Sequence, residues 1–242
     1  MTRSRSVKAS ARALLSPTSG RQPTTIGLIV GVIASTDDLR LAGRMRTPPD
    51  LFELRLDCLY PSSARLENKL SQLRTPLIIT ARHPAEGGTN KLSEKQRLDL
   101  LWQFIPYASF IDIELRSAKS FSPLLKLAKS KKIRRIISVH DFNSTPSLRS
   151  LRASARAAKS CGADIFKIAT RTDTPAQLAR LLEFVANHKA DLAISAMGIG
   201  ILGAVSRMIL SRRGSILNYG SIGPGQIEGQ LSIRQLRSVI GH

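Results

Sequence analysis

From Thr25 onward, short apolar runs alternate with longer amphipathic stretches. Eight runs read as strands: TIGLIVGVIAS (25–35), DLFELRLDCL (50–59), PLIITAR (76–82), ASFIDIELR (108–116), RRIISVH (134–140), GADIFKIAT (162–170), DLAISAM (191–197) and GSILNYGS (214–221). Between them, KLSEKQRLDLLWQFI, SPLLKLAKS, SLRSLRASARAAKS and TPAQLARLLEFVANHK space their apolar residues as helices do. Such alternation predicts a parallel sheet with helices outside it. Eight repeats predict an α/β protein, a closed (β/α)8 TIM barrel forming one domain over 25–242. An open doubly wound sheet usually carries a glycine-rich phosphate turn after its first strand. The sequence there, VIASTDD, has none.

A barrel of this kind keeps its chemistry at the C-terminal ends of its strands, and the polar residues fall there. Glu53, Arg55 and Asp57 alternate along the second run and so share a face. Arg82 closes the third run, with Glu86 just beyond, and Asp112 and Glu114 share a face near the end of the fourth. His140 ends the fifth, Lys167 lies near the end of the sixth, and the glycine-rich YGSIGPGQIEG follows the eighth. One ionisable residue at a strand end is commonly a salt bridge or a loop start. So many converging on one mouth mark a candidate active site.

Composition narrows the class. The 242 residues are 42% apolar, enough for a large core. Cys58 and Cys161 follow no CxxC or metal spacing and suit a reducing cytoplasm. His83, His188 and His242 also lack ligand spacing, so no metal site is expected. No signal-peptide layout is seen, and the apolar run from Ile26 to Ala34 is far shorter than the ~20 residues a membrane span needs, so no membrane partner is expected. The net charge of +20 draws anions to the molecule. Arg3, Arg5, Lys8, Arg12 and Arg21 stand in the first 24 residues without an acid, which leaves +15 for the rest. Aromatic residues are too sparse to build a stacking platform, and no specific nucleic-acid partner is expected. The Arg- and Ser-rich segment 1–24 has a composition shared by organellar transit peptides and disordered tails. It is read here as a tail, with the barrel in the cytoplasm.

Lys167 lies inside an apolar run, where a lysine is costly. Ile165, Phe166, Ile168 and Ala169 would disfavour its charged form, and a neutral lysine amine attacks carbonyls to give an imine. The protonated imine acidifies a neighbouring C–H bond. A histidine one strand away, His140, could remove that proton. Glu114 is placed to hold the imidazole. Alone, His140 would read as a core histidine bonded to backbone; beside Lys167 it reads as a base. These residues point to imine-based elimination or aldol cleavage. A Schiff-base aldolase or transaldolase is the enzymatic alternative, although no phosphate motif is evident. A basic binding protein on a retired barrel would need none of the three residues.

The ordered set ELRLD (Glu53, Arg55, Asp57), TARHPAEGG (Arg82, Glu86), IDIELR (Glu114), SVHDF (His140), DIFKIA (Lys167), ISAMG (Met197), GAVSRM (Gly203, Arg207) and PGQI (Gln226) resembles the type I 3-dehydroquinate dehydratases from Thr25 to His242. The resemblance implies a (β/α)8 barrel, a homodimer, that dehydrates 3-dehydroquinate to 3-dehydroshikimate for aromatic amino acid biosynthesis without metal or organic cofactor. It implies that Lys167 forms the imine and that His140 takes the C2 proton and returns it to the departing hydroxyl, with Glu114 orienting His140. Arg207 would pair with the substrate carboxylate, Glu53, Arg55, Arg82 and Gln226 would hold the hydroxyls, and Met197 would pack on the ring. One departure is visible. Ile222 stands where the family often has a substrate-contacting serine, with Ser221 one residue earlier, and Ile199 replaces the second methionine of a Met-x-Met pair.

Overall fold

Near-continuous runs of Val, Ile, Leu and Phe suit strands buried on both faces, and all eight runs form strands. They are β1 (Leu28–Ile33), β2 (Leu51–Arg55), β3 (Leu77–Thr80), β4 (Ala108–Glu114), β5 (Arg134–Asp141), β6 (Ile165–Arg171), β7 (Ala193–Ile199) and β8 (Leu217–Ser221). The computed structural model describes residues 27–60, 66–70, 72–188, 191–225 and 227–241. The expectations for segment 1–24 and for Gln226 fall outside these residues. The strands are parallel in the order β7-β6-β5-β4-β3-β2-β1-β8. One boundary differs in a way that matters. The second strand stops at Arg55 and the chain turns into the short helix Leu56–Leu59, so Asp57 leaves the strand face expected for it.

β7 and β8 meet at a seam where side chains bridge the strands. The Ile216 N–H donates to the Ile194 carbonyl at 2.9 Å. Ser195 Oγ donates to the Leu217 carbonyl at 2.8 Å, and Ser215 Oγ accepts from the Ala196 N–H at 3.1 Å. The result is a nearly closed barrel. Five helices begin at Ser or Thr caps: Ser35, Ser93, Ser147, Thr174 and Ser232 each accept a hydrogen bond from a backbone N–H of the first turn. Ser232 with Gln235 makes a reciprocal cap that fixes where the loop after β8 ends. Among the described residues, no helix is long and apolar enough to cross a membrane.

The core divides in two. One apolar cluster fills the space between strands and helices. A second plugs the barrel interior with Leu51, Ile78, Phe110, Ile136, Ile165 and Leu217. Two residues further along each strand, on the same face, come Glu53, Thr80, Asp112, Ser138, Lys167 and Tyr219, all buried. Another step of two reaches Arg55, Arg82, Glu114, His140, Ala169 and Ser221. The interior thus runs from an apolar floor, through a polar and charged layer, to a charged mouth.

Candidate active site

The charged layer is a network in which few donors are spare. Lys167 Nζ donates to Asp112 Oδ2 at 2.9 Å and to Glu53 Oε1 at 3.3 Å, and lies 3.9 Å from the centroid of the Tyr219 ring. The sequence reading places Lys167 among apolar neighbours. The structure corrects it, because two carboxylates from β2 and β4 pair with the amine. Burial works against charge on Asp112, but Arg82 and Lys167 outweigh it and hold its carboxyl well below the usual range. Arg82 reaches Asp112 at 2.8 Å, Glu114 at 2.9 Å and Ser138 at 2.7 Å.

Glu114 is not the partner of His140. Its Oε1 accepts from Arg82 and from the His83 N–H, and its Oε2 pairs with Arg97. Glu86 takes the role expected of Glu114: its Oε2 accepts from the His140 N–H at 2.9 Å and lies 3.1 Å from His140 Nδ1. The alternation of β4 puts Glu114 at the right height. The guanidinium groups of Arg82 and Arg97 then hold its carboxylate away from the imidazole, and the short turn Pro84–Glu86 brings Glu86 over instead. Burial, followed by the positive charges of Arg82 and Lys167, holds the His140 imidazole well below its ordinary pKa and so neutral. With Nδ1–H given to Glu86, Nε2 is left as the basic nitrogen. Burial and then the charge of Glu114 push the Glu86 carboxyl up to about 7.

Asp57 braces the mouth from its helix. It accepts from Arg55 at 2.8 and 3.0 Å, from the Arg82 N–H at 3.1 Å and from the Thr89 N–H at 3.1 Å. Arg207 differs from every other buried cation here. It is 4% exposed, donates to the Tyr219 carbonyl at 3.0 Å and touches Met197 Sδ at 3.6 Å, while its Nε has no partner. No carboxylate pairs with it among the described residues, and burial alone lowers its pKa to about 10. Glu53, Asp112 and Glu114 are matched by Lys167, Arg82 and Arg97, which leaves Arg207 as the uncompensated charge.

A cavity of about 780 Å³, counting its open mouth, gathers Glu53, Arg55, Arg82, His140, Lys167, Met197, Arg207 and Ser221 on one wall system. Glu86, Phe142, Tyr219, Ile222 and Gln230 line it as well. Glu114 is not on that lining. Ile222, in the place where a serine is often found, and Ser221 both face the cavity. The loop after β8 is tied near its far end, where the Glu228 carbonyl accepts from the Gly200 N–H at 3.1 Å and Glu228 pairs with Arg171 at 3.1 Å.

Several residues escape the sequence reading. Arg97 shares a helix face with Leu100, Leu101 and Phe104, so an arginine on an apolar stripe is the available signal. Tyr219 is the inward neighbour of Leu217 and Ser221 on β8. Gln230 belongs to a second Gly-Gln pair, four residues after Gly225-Gln226 and just before the Ser232 cap.

The family model described as Type I 3-dehydroquinase matches residues 30–241. A 3-dehydroquinate dehydratase of Methanothermobacter thermautotrophicus is 34% identical over 193 residues, covering 79% of this chain and 84% of that protein. One from Thermodesulfovibrio yellowstonii is 32% identical over 215 residues, 87% of this chain and 93% of that protein. Among solved structures, the 3-dehydroquinate dehydratase of Geobacillus kaustophilus HTA426 aligns with a TM-score of 0.81 at 25% identity, over 89% of this chain and 90% of its own. The type I enzyme of Clostridium difficile, solved with covalently modified comenic acid, aligns with a TM-score of 0.78 at 25% identity, over 89% and 91%.

Proposed function

The chain belongs to the type I 3-dehydroquinase family, and from that premise we propose that it converts 3-dehydroquinate to 3-dehydroshikimate through an imine on Lys167. Its enzyme class is 3-dehydroquinate dehydratase, a lyase of the shikimate route to aromatic amino acids. The observation that carries the substrate assignment is Arg207. A buried guanidinium without a counter-ion is expensive, and an anionic substrate relieves that cost. The carboxylate of a hydroxylated ring acid, received by a planar fork, fits it. Arg207 and Lys167 line the same cavity, so one end of such a ring pairs with the cation while its ketone meets the amine.

Each step has a group to perform it. Lys167 Nζ adds to the ketone and loses water to give the iminium, an electron sink. Neutral His140, its Nδ1–H held by Glu86, removes the adjacent proton with Nε2 and returns it to the departing hydroxyl. Both transfers by one imidazole take place on one face of the ring, which makes the elimination syn. Glu53, Arg55 and Arg82 line the same cavity and are the groups we assign to the ring hydroxyls, and Met197 supplies an apolar wall. Gln230 lines the cavity and is the glutamine we assign to the hydroxyls in place of Gln226. A homodimer and a cytoplasmic setting belong to the same reading and are carried by the family alone.

Borohydride reduction in the presence of 3-dehydroquinate tests the proposal. The peptide carrying Lys167 should gain the mass of the reduced ligand. His140→Ala should still be labelled while turnover drops by about 10²–10⁴-fold. An unmodified Lys167, or a label on another lysine, ends the reading.

A further inference from the structure

Tyr219 has no part in the scheme above, yet its surroundings are those of a working residue. It is the second inward side chain of β8 and 4% exposed. Its hydroxyl is buried and has no hydrogen-bond partner among the described residues. A phenylalanine would fill the same volume without leaving a donor unsatisfied. The neighbouring groups are already engaged. Thr80 Oγ1 donates to Glu53 at 2.9 Å, Ser138 Oγ donates to Asp112 at 2.6 Å, and Lys167 serves both carboxylates. The Tyr219 hydroxyl keeps a donor that no atom of the described residues receives.

The ring is placed as pointedly as the hydroxyl. Lys167 Nζ lies 3.9 Å from its centroid, in the range where an aromatic face attracts a cation. The side chain that bears this hydroxyl thus packs directly against the reacting nitrogen, and both residues line the same cavity. When an amine adds to a ketone, the former carbonyl oxygen ends two bonds from that nitrogen.

Taking the imine reading as its base, we propose that Tyr219 is a further catalytic residue. Its hydroxyl donates to the carbinolamine oxygen formed when Lys167 adds to the ketone, and its ring face steadies the iminium that follows. The balance is simple. Addition forms the Nζ–C bond and turns the carbonyl oxygen into a hydroxyl. Expulsion breaks the C–O bond as the nitrogen lone pair forms C=N. The starting ammonium supplies both hydrogens of the departing water, so no outside acid or oxidant is consumed. Tyr219 lends a hydrogen bond and keeps its proton. Burial, and then the charges of Glu53 and Asp112, push its phenol well above the usual range, which suits a donor that stays protonated.

The test uses the full chain with Tyr219→Phe, which removes one oxygen and keeps the ring, and Tyr219→Leu, which removes both features. Rapid-quench borohydride trapping gives the rate and extent of imine formation. Substrate deuterated at the carbon next to the ketone gives the isotope effect on kcat/KM. We expect Tyr219→Phe to form the imine roughly 10²–10³-fold more slowly, as when one preorganised donor is lost. Its isotope effect should shrink toward one, because imine formation becomes limiting. Tyr219→Leu should also trap a smaller fraction of enzyme at saturation. A Phe variant that traps at the wild-type rate with an unchanged isotope effect overturns the hydroxyl role. Equal trapping in the Leu and Phe variants overturns the ring role. Failure of the wild-type enzyme to be labelled at Lys167 is a different result and removes the imine reading itself.

Discussion

Glu86 shows how one side chain carries opposed demands. Its pKa is raised to about 7 from the ordinary 4.5, first by burial and then by Glu114, although the His140 N–H and Arg82 work against the rise. A carboxyl raised in the folded state binds its proton more tightly there. Its contribution to stability is therefore complete below about 4.5 and lost as pH climbs through about 7. At ~1.4 kcal/mol per unit, ionised Glu86 costs the fold at most roughly 3–4 kcal/mol above that range. Glu86→Gln should thus unfold at higher urea than wild type at pH 8 and at nearly the same urea at pH 4. Its kcat should fall by roughly 10²-fold, because the imidazolium formed during proton transfer loses its counter-charge. A variant that is both more stable at pH 8 and fully active would remove Glu86 from the reaction.

At the scale of elements, the barrel depends on how its last gap is closed. Seven strand pairs are parallel ladders, with one register shift at Leu77/Ile78 between β3 and β4. The eighth contact, β7 with β8, leans on Ser195 and Ser215. Both serines are fully buried, so removing a hydroxyl leaves backbone groups without partners. Ser215→Ala should lower the unfolding free energy by ~1–3 kcal/mol, read from urea midpoints at unchanged slope. A neutral result would mean that Ile216 and the flanking helices hold the seam by themselves. The same seam borders the cavity, since Met197 and Tyr219 stand on its two strands and Arg207 donates to the Tyr219 carbonyl.

For the whole molecule, charge is the distinguishing quantity. Between Ala118 and Ala163 there are eleven Lys and Arg residues and one acid, Asp141. The helices Ser122–Ser130 and Leu148–Ser160 in this stretch carry no acid at all. This outer positive field and the uncompensated Arg207 within act in the same sense on an anionic substrate. Association should be steered electrostatically. Raising the salt from about 0.01 M to 1 M shortens the screening length from ~30 Å to ~3 Å. Over that range kcat/KM should fall while kcat stays nearly constant. A kcat/KM indifferent to salt would confine the attraction to Arg207 alone.

The sequence by itself determined the eight strands and, Asp57 apart, which of their polar residues share a face. Both follow from a period of two within a single strand, which is local. That is why Lys167 and His140 could be read as lining one mouth, and why Asp112 and Glu114 could be placed on one face near the end of their strand. Partnership was decided only by the closed barrel. The carboxylates on Lys167 arrive from 114 and 55 positions away, and the one on His140 from 54. Alternation gives Glu114 the correct height, but only the path of the loop after β3 and the reach of Arg97 from its helix decide that Glu86 meets the imidazole instead. A strand's periodicity fixes face and height. The angle at which two side chains meet across a barrel depends on closure and loop geometry, which no single segment contains.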